Sequence, residues 1–230
     1  MCSNDEIIPS WRISMDKHAT VQYILDNCII AIIRADTGGE ELVKVIDAVA
    51  RGGVRCIELT MTTPGALRCL EIASKELAGA DVLLGVGSVL DPETCRMAIL
   101  AGAQYVVTPI TSPETIRMAQ RYGKPIMSGA YTPTEIVTAW DHGSDFVKVF
   151  PADVGGPKYL KAIKGPLPQI PLIPTGGVNL DTMHAFLEAG ASALGVGGNL
   201  VGAKLVQSQN YDSITANARA FVDALAREHR

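Results

Sequence analysis

Short apolar runs rich in β-branched residues recur roughly every 20–30 residues along this chain, each followed by a turn and a stretch of helical periodicity. That alternation is the signature of βαβ units, which place their strands side by side and parallel. The strand candidates are Cys28–Arg34, Arg55–Thr60, Val82–Gly87, Tyr105–Thr108, Pro125–Ser128, Phe146–Phe150, Pro171–Thr175 and Ala193–Gly197. Asp91-Pro92, Ser112-Pro113 and Thr132-Pro133 each put a capping side chain before a proline at the first helical position. Gly52-Gly53, Gly102, Gly123, Gly143 and Gly190 read as helix ends before the next strand. Eight units favour a closed (β/α)8 TIM barrel over an open sheet, which would usually carry an early GxGxxG, absent here. Segment 15–27 is expected to form an additional N-terminal helix and 211–227 a final amphipathic one, within a single barrel domain spanning 15–230. Residues 1–14 read as a mobile tail.

Composition narrows the partners. The net charge of −4 gives no electrostatic case for nucleic acid or an anionic membrane surface. No apolar run approaches the ~20 residues of a membrane span. The five cysteines include no CxxC and mostly lie in apolar runs, which points to a reducing, cytoplasmic compartment. The four histidines are scattered, with no HxH or HExxH, so no metal is expected; nor is there a GxSxG nucleophile elbow.

In such a barrel the chemistry sits at the C-terminal ends of the strands. Three ionisable residues fall there. Lys148 lies within Phe146-Val147-Lys148-Val149-Phe150, sharing a face with the two phenylalanines. Burying an ammonium is costly, and desolvation favours the neutral amine that attacks carbonyls. The bland alternative is a lysine that snorkels to the barrel mouth. Glu58, on one face with Cys56 and Thr60, can shuttle protons, or can form a structural ion pair with Lys148 or Arg34. Arg34 ends strand 1 with a planar fork suited to a carboxylate or phosphate, or pairs on the rim. Lys158, Lys161 and Lys164 fall on the helix after strand 6, and Lys124 lies at the opposite face.

Strand 7 ends in Thr175-Gly176-Gly177 and strand 8 in Gly197-Gly198-Asn199. The loops after strands 7 and 8 are the recurrent phosphate site of this fold. One glycine pair could be only a tight turn; two, at both expected positions, point to a phosphate.

The ordered set Ile-Ala-Ile-Ile-Arg34, Cys-Ile-Glu58-Leu-Thr60-Met-Thr62, Gly85-Val-Gly-Ser88, Thr108-Pro109, Phe-Val-Lys148-Val-Phe-Pro151 and Pro174-Thr-Gly-Gly-Val178 resembles the 2-keto-3-deoxy-6-phosphogluconate (KDPG) / 4-hydroxy-2-oxoglutarate aldolases, class I enzymes on a (β/α)8 barrel. The similarity runs from about Ile30 to Val201. It implies that Lys148 forms the Schiff base and Glu58 is the general acid/base. It further implies that Thr60, Ser88, Pro109 and Thr175 line the pyruvyl pocket, and that Gly176, Gly177, Gly197, Gly198 and Asn199 hold the distal phosphate. A cytoplasmic homotrimer with no cofactor, acting on a small phosphorylated keto acid, is implied as well.

There are departures. Thr62 stands in the substrate-binding position where many members have the arginine that orients the carboxylate, so Arg34 is expected to supply that charge. Ser88 replaces the commoner threonine, and Asn199 a serine. Galactonate-preferring relatives tend to lose the threonine equivalent to Thr175, so its presence favours KDPG, with 4-hydroxy-2-oxoglutarate as a second substrate. Kept open beside this reading are a phosphogalactonate-derived substrate, a phosphate-binding barrel isomerase or epimerase, and a non-catalytic trimeric barrel.

Overall fold

The computed structural model describes residues 15–35 and 39–228. The expectation for residues 1–14 lies outside them. Eight parallel strands alternate with helices: β1 Ile29–Ile33, β2 Cys56–Thr60, β3 Leu83–Gly87, β4 Val106–Val107, β5 Ile126–Ala130, β6 Phe146–Val149, β7 Leu172–Pro174 and β8 Leu194–Val196. They are ordered β7-β6-β5-β4-β3-β2-β1-β8. Single parallel bridges, Leu172 to Ala191 and Thr175 to Gly195, join the last two strands and complete the (β/α)8 barrel.

Helix α1 (Lys17–Asn27) precedes the barrel, α2 (Glu40–Arg51) through α8 (Met183–Glu188) connect the strands, and α9 (Ala203–Gln207) and α10 (Tyr211–Glu228) follow β8. Sequence signals mark most of these, but none is specific to α3 (Ala66–Glu76) or to the five-residue α9, which is too short to show a period. The capping residues act as expected. Asp91 accepts from Thr94 N at 2.6 Å and Ser112 from Thr115 N at 3.3 Å. Thr132 forms a reciprocal capping box with Glu135.

Two apolar clusters divide the interior. The larger lies between the barrel wall and the helices and takes the outward face of each strand, such as Ile57 and Leu59 of β2. The smaller fills the lower barrel: Ile30, Cys56, Leu83, Tyr105, Val107, Met127, Phe146, Ile173 and Ala193, with Ile24 of α1 packed among them. Helix α1 therefore plugs the N-terminal end. It is fastened there by the Lys17–Asp145 ion pair at 2.8 Å and by Tyr23, whose hydroxyl donates to Asp81 Oδ1 at 2.6 Å. The strands terminate at the other end of the barrel, away from α1. No helix among the described residues is long and apolar enough to cross a membrane.

Candidate active site

Strands β2 and β6 stand four places apart in the order of eight, hence across the barrel from each other, and each delivers one ionisable side chain. Glu58 is 2% exposed and Lys148 7%. The lysine does not snorkel into solvent; its Nζ lies 5.3 Å from the Phe150 ring centroid, within cation–π range. Nor does Glu58 form the structural ion pair that was the bland alternative. Among the described residues no ion pair within 4.0 Å joins it to Lys148 or Arg34, although their charges reach it. Burial pushes the Glu58 carboxyl above its ordinary 4.5, opposed by the charges of Lys148 and then Arg34. A carboxyl displaced in that direction is a better proton acceptor than an ordinary one, as proton shuttling requires.

Small residues open this level of the barrel. A Cβ on Gly87 would lie 1.7 Å from Glu58 Oε1, and one on Gly195 would lie 2.3 Å from Thr175 Oγ1. A side chain at either position would collide with a site residue. Gly129, in register with Lys148, leaves space against the backbone of Pro109, whose carbonyl carbon is 2.2 Å from where a Cβ would be. The turn carrying Pro109 is held by Thr108, whose Oγ1 donates to Ile110 O at 2.6 Å and accepts from Gly129 N at 3.1 Å.

Around the pair, Thr60 is fully buried, and its hydroxyl lies 2.9 Å from that of Thr62, which is exposed. Ser88 follows β3 with φ 58°, a left-handed conformation that costs a non-glycine residue about 1–3 kcal/mol and tends to occur at functional sites. Thr175 is buried, bonded through its N–H to Val149 O at 3.0 Å and through its carbonyl to Ala152 N at 2.8 Å. Arg34 is exposed at the mouth. The strand ends thus bring Lys148, Glu58, Thr60, Ser88, Pro109 and Thr175 to one opening, with Arg34 and Thr62 on its rim.

The two glycine pairs differ. Gly176 and Gly177 have φ of 98° and 72°, and a Cβ on Gly177 would lie 2.7 Å from the Asp153 Cβ, so the chain's own geometry demands glycine there. Gly197 and Gly198 have no positive φ, and a Cβ on either would enter open space. Nothing in the chain itself requires those two glycines. Leu200 N and Val201 N both bond to Gly197 O, at 2.9 and 3.0 Å, so the amides of Gly198 and Asn199 head a helical turn. The Asn199 side chain donates to Val178 O at 2.9 Å, tying the loop after β8 to the one after β7.

Sequence reading missed the inward glycines Gly85, Gly87, Gly129 and Gly195 as makers of space, and it missed Tyr105, a phenol buried beneath Glu58. Their signal was the period-2 spacing of Gly85 and Gly87 on the face that Glu58 shares. Among the described residues no group of three or more His, Cys, Asp or Glu is placed to hold a metal ion.

The architecture is that of barrel enzymes that work from the C-terminal strand ends, and here those ends carry a buried lysine and a buried carboxyl. Comparison with known proteins makes this specific. The family profile for KDPG and KHG aldolase matches residues 21–217, and the chain belongs to that family. Its members are aldolases, carbon–carbon lyases, and this chain is one of them. The 2-dehydro-3-deoxy-phosphogluconate aldolase of Pseudomonas aeruginosa is 35% identical over 204 residues, 88% of this chain and 90% of that protein. The 2-dehydro-3-deoxy-6-phosphogalactonate aldolase of Escherichia coli is 34% identical over 197 residues, 85% of this chain and 93% of that one. Among solved structures, the KDPG aldolase of Legionella pneumophila, with pyruvate captured as a covalent carbinolamine, superposes with a TM-score of 0.77 at 27% identity. It covers 87% of this chain and 96% of that one.

Proposed function

We propose that this protein cleaves KDPG to pyruvate and glyceraldehyde 3-phosphate through an imine on Lys148, and that 4-hydroxy-2-oxoglutarate, giving pyruvate and glyoxylate, is a second substrate. The observation that carries this reading is the pairing, across one buried level of the barrel, of an unpaired lysine and a carboxyl raised by burial. The carbinolamine in the Legionella pneumophila relative supports the covalent route.

Lys148 Nζ, as the free amine, adds to the C2 carbonyl. Glu58 relays protons as the carbinolamine loses water to give an iminium. Glu58, directly or through water, then takes the C4 hydroxyl proton. The C3–C4 bond breaks, its electron pair moves into the iminium to give an enamine, and the aldehyde leaves. Protonation of the enamine at C3 and hydrolysis of the resulting iminium release pyruvate and restore the amine. Thr60, Ser88, Pro109 and Thr175 line the pyruvyl end of the pocket. Arg34, with Thr62 beside it on the rim, supplies charge for the substrate carboxylate. The distal phosphate lies against Gly176, Gly177, Gly197, Gly198 and Asn199. The second glycine pair, free of any demand from the chain itself, is the better support for that anion. The chemistry needs no cofactor.

A homotrimer is part of the same reading. Leu90, Met97, Leu100 and Ile110, on or near helix α4 (Pro92–Leu100) in the chain, are exposed and suited to contact between copies. The buried thiols of Cys56, Cys69 and Cys95 support a cytoplasmic setting.

The two named relatives act on different sugar acids at nearly equal identity, 35% and 34%, so overall similarity does not choose between them. Thr175 favours the gluconate-derived substrate. Measuring kcat/KM for the two C4 epimers tests this. Faster cleavage of KDPG is expected; a galactonate epimer cleaved tenfold faster would reverse the assignment.

A further inference from the structure

Two buried side-chain atoms among the described residues lack a hydrogen-bond partner: Glu58 Oε1 and the Tyr105 hydroxyl. Buried orphans of this kind are rare in folded proteins, and these two are neighbours. A Cβ on Gly87 would lie 1.7 Å from Glu58 Oε1. One on Gly85 would lie 2.3 to 2.5 Å from Cζ, Cε2 and Cε1 of Tyr105, the end of the ring that carries the hydroxyl. Gly85 and Gly87 alternate on the same face of β3, and Glu58 is in register with Gly85. The carboxyl oxygen and the phenol end therefore sit one above the other against a strip of β3 that has no side chains.

We propose that Tyr105 is a positioning residue for Glu58: its phenol donates to the Oε1 side of the carboxyl through one water and fixes the carboxyl for proton transfer. This rests on the reading of Glu58 as the acid/base. The remaining ionisable groups facing Glu58 are Lys148 from β6, Arg34 after β1 and Cys56 two residues earlier on β2. Burial holds the Cys56 thiol high, so it stays neutral. The phenol is likewise held protonated by burial, with Cys56 and then Glu58 adding to the effect, so it remains a donor across the working pH range.

A donor to the carboxylate favours its ionised form and opposes the upward push of burial. Tyr105→Phe keeps the ring that packs on Gly85 and removes only the O–H. The acid limb of the kcat/KM profile is expected to move up by about 0.5–1 pH unit, the worth of one hydrogen bond. 3-Fluorotyrosine at position 105, a stronger donor, is expected to move it down. Glu58→Gln, measured alongside by single turnover, is expected to remove the limb. A limb lost in Glu58→Gln but unmoved by both changes at Tyr105 overturns the positioning role alone. A limb that survives in Glu58→Gln overturns the reading of Glu58 and the positioning role with it.

Discussion

The inside of this barrel is two levels built on the same strands, and they are filled in opposite ways. The lower level is packed with Leu83, Tyr105, Met127, Phe146 and Ile173, and Ile24 of the preceding helix stops its end. One pleat higher, the same strands present Glu58, Lys148 and Gly87, with Thr175 and Gly195 beside them. Period-2 alternation makes each strand contribute to both levels: Phe146 then Lys148, Cys56 then Glu58, Gly85 then Gly87. The lower level repays the cost of folding by burying apolar surface, at ~1.5–3 kcal/mol for each large side chain. The upper level gives up that gain, holding a carboxyl against desolvation and using glycines where a side chain would collide with Glu58 or Thr175. Such a loss is tolerable when the level beneath is full, and it is informative because chemistry needs the space.

This contrast can be broken in several ways. Phe146→Ala empties the lower level and is expected to cost about 3–5 kcal/mol, read by denaturant unfolding, with turnover per folded molecule little changed. If turnover collapses while stability holds, the division of labour between the levels is wrong. Gly87→Ala makes the opposite test. Its Cβ displaces Glu58 Oε1, the free end of a side chain, so stability should change little. A carboxyl pushed aside by about 1 Å should lower kcat roughly 100-fold.

A smaller effect comes from pH. The folded-state carboxyl of Glu58 titrates above its ordinary 4.5, so its contribution to stability is fully present below that value and is lost as pH rises through the raised one. Glu58→Gln does not ionise. It should match the wild type near pH 4 and melt at a higher temperature at pH 8; a difference in melting temperature that is constant across pH would contradict this.

The eight strands and their caps were legible in sequence because each signal is local: an apolar run, a capping side chain before proline, a glycine after a helix. Lys148 and Glu58 stood out as charges inside runs otherwise apolar. The upper level's glycines did not stand out, because the strands are buried on both faces and their sequences show little contrast between inward and outward positions. Only the pairing of neighbouring strands reveals that Gly87 meets Glu58 and Gly85 meets Tyr105. The closure itself rests on single bridges at Leu172 and Thr175, which no sequence pattern announces. The two glycine pairs looked alike in sequence, and backbone conformation separated the pair the fold requires from the pair it does not.

The most direct measurement is borohydride reduction in the presence of pyruvate, followed by intact mass and peptide mapping. A single pyruvyl adduct on Lys148 is the predicted result and would establish this lysine as the imine-forming residue. No adduct on a folded protein, or an adduct at Lys158, Lys161 or Lys164 instead, would contradict it.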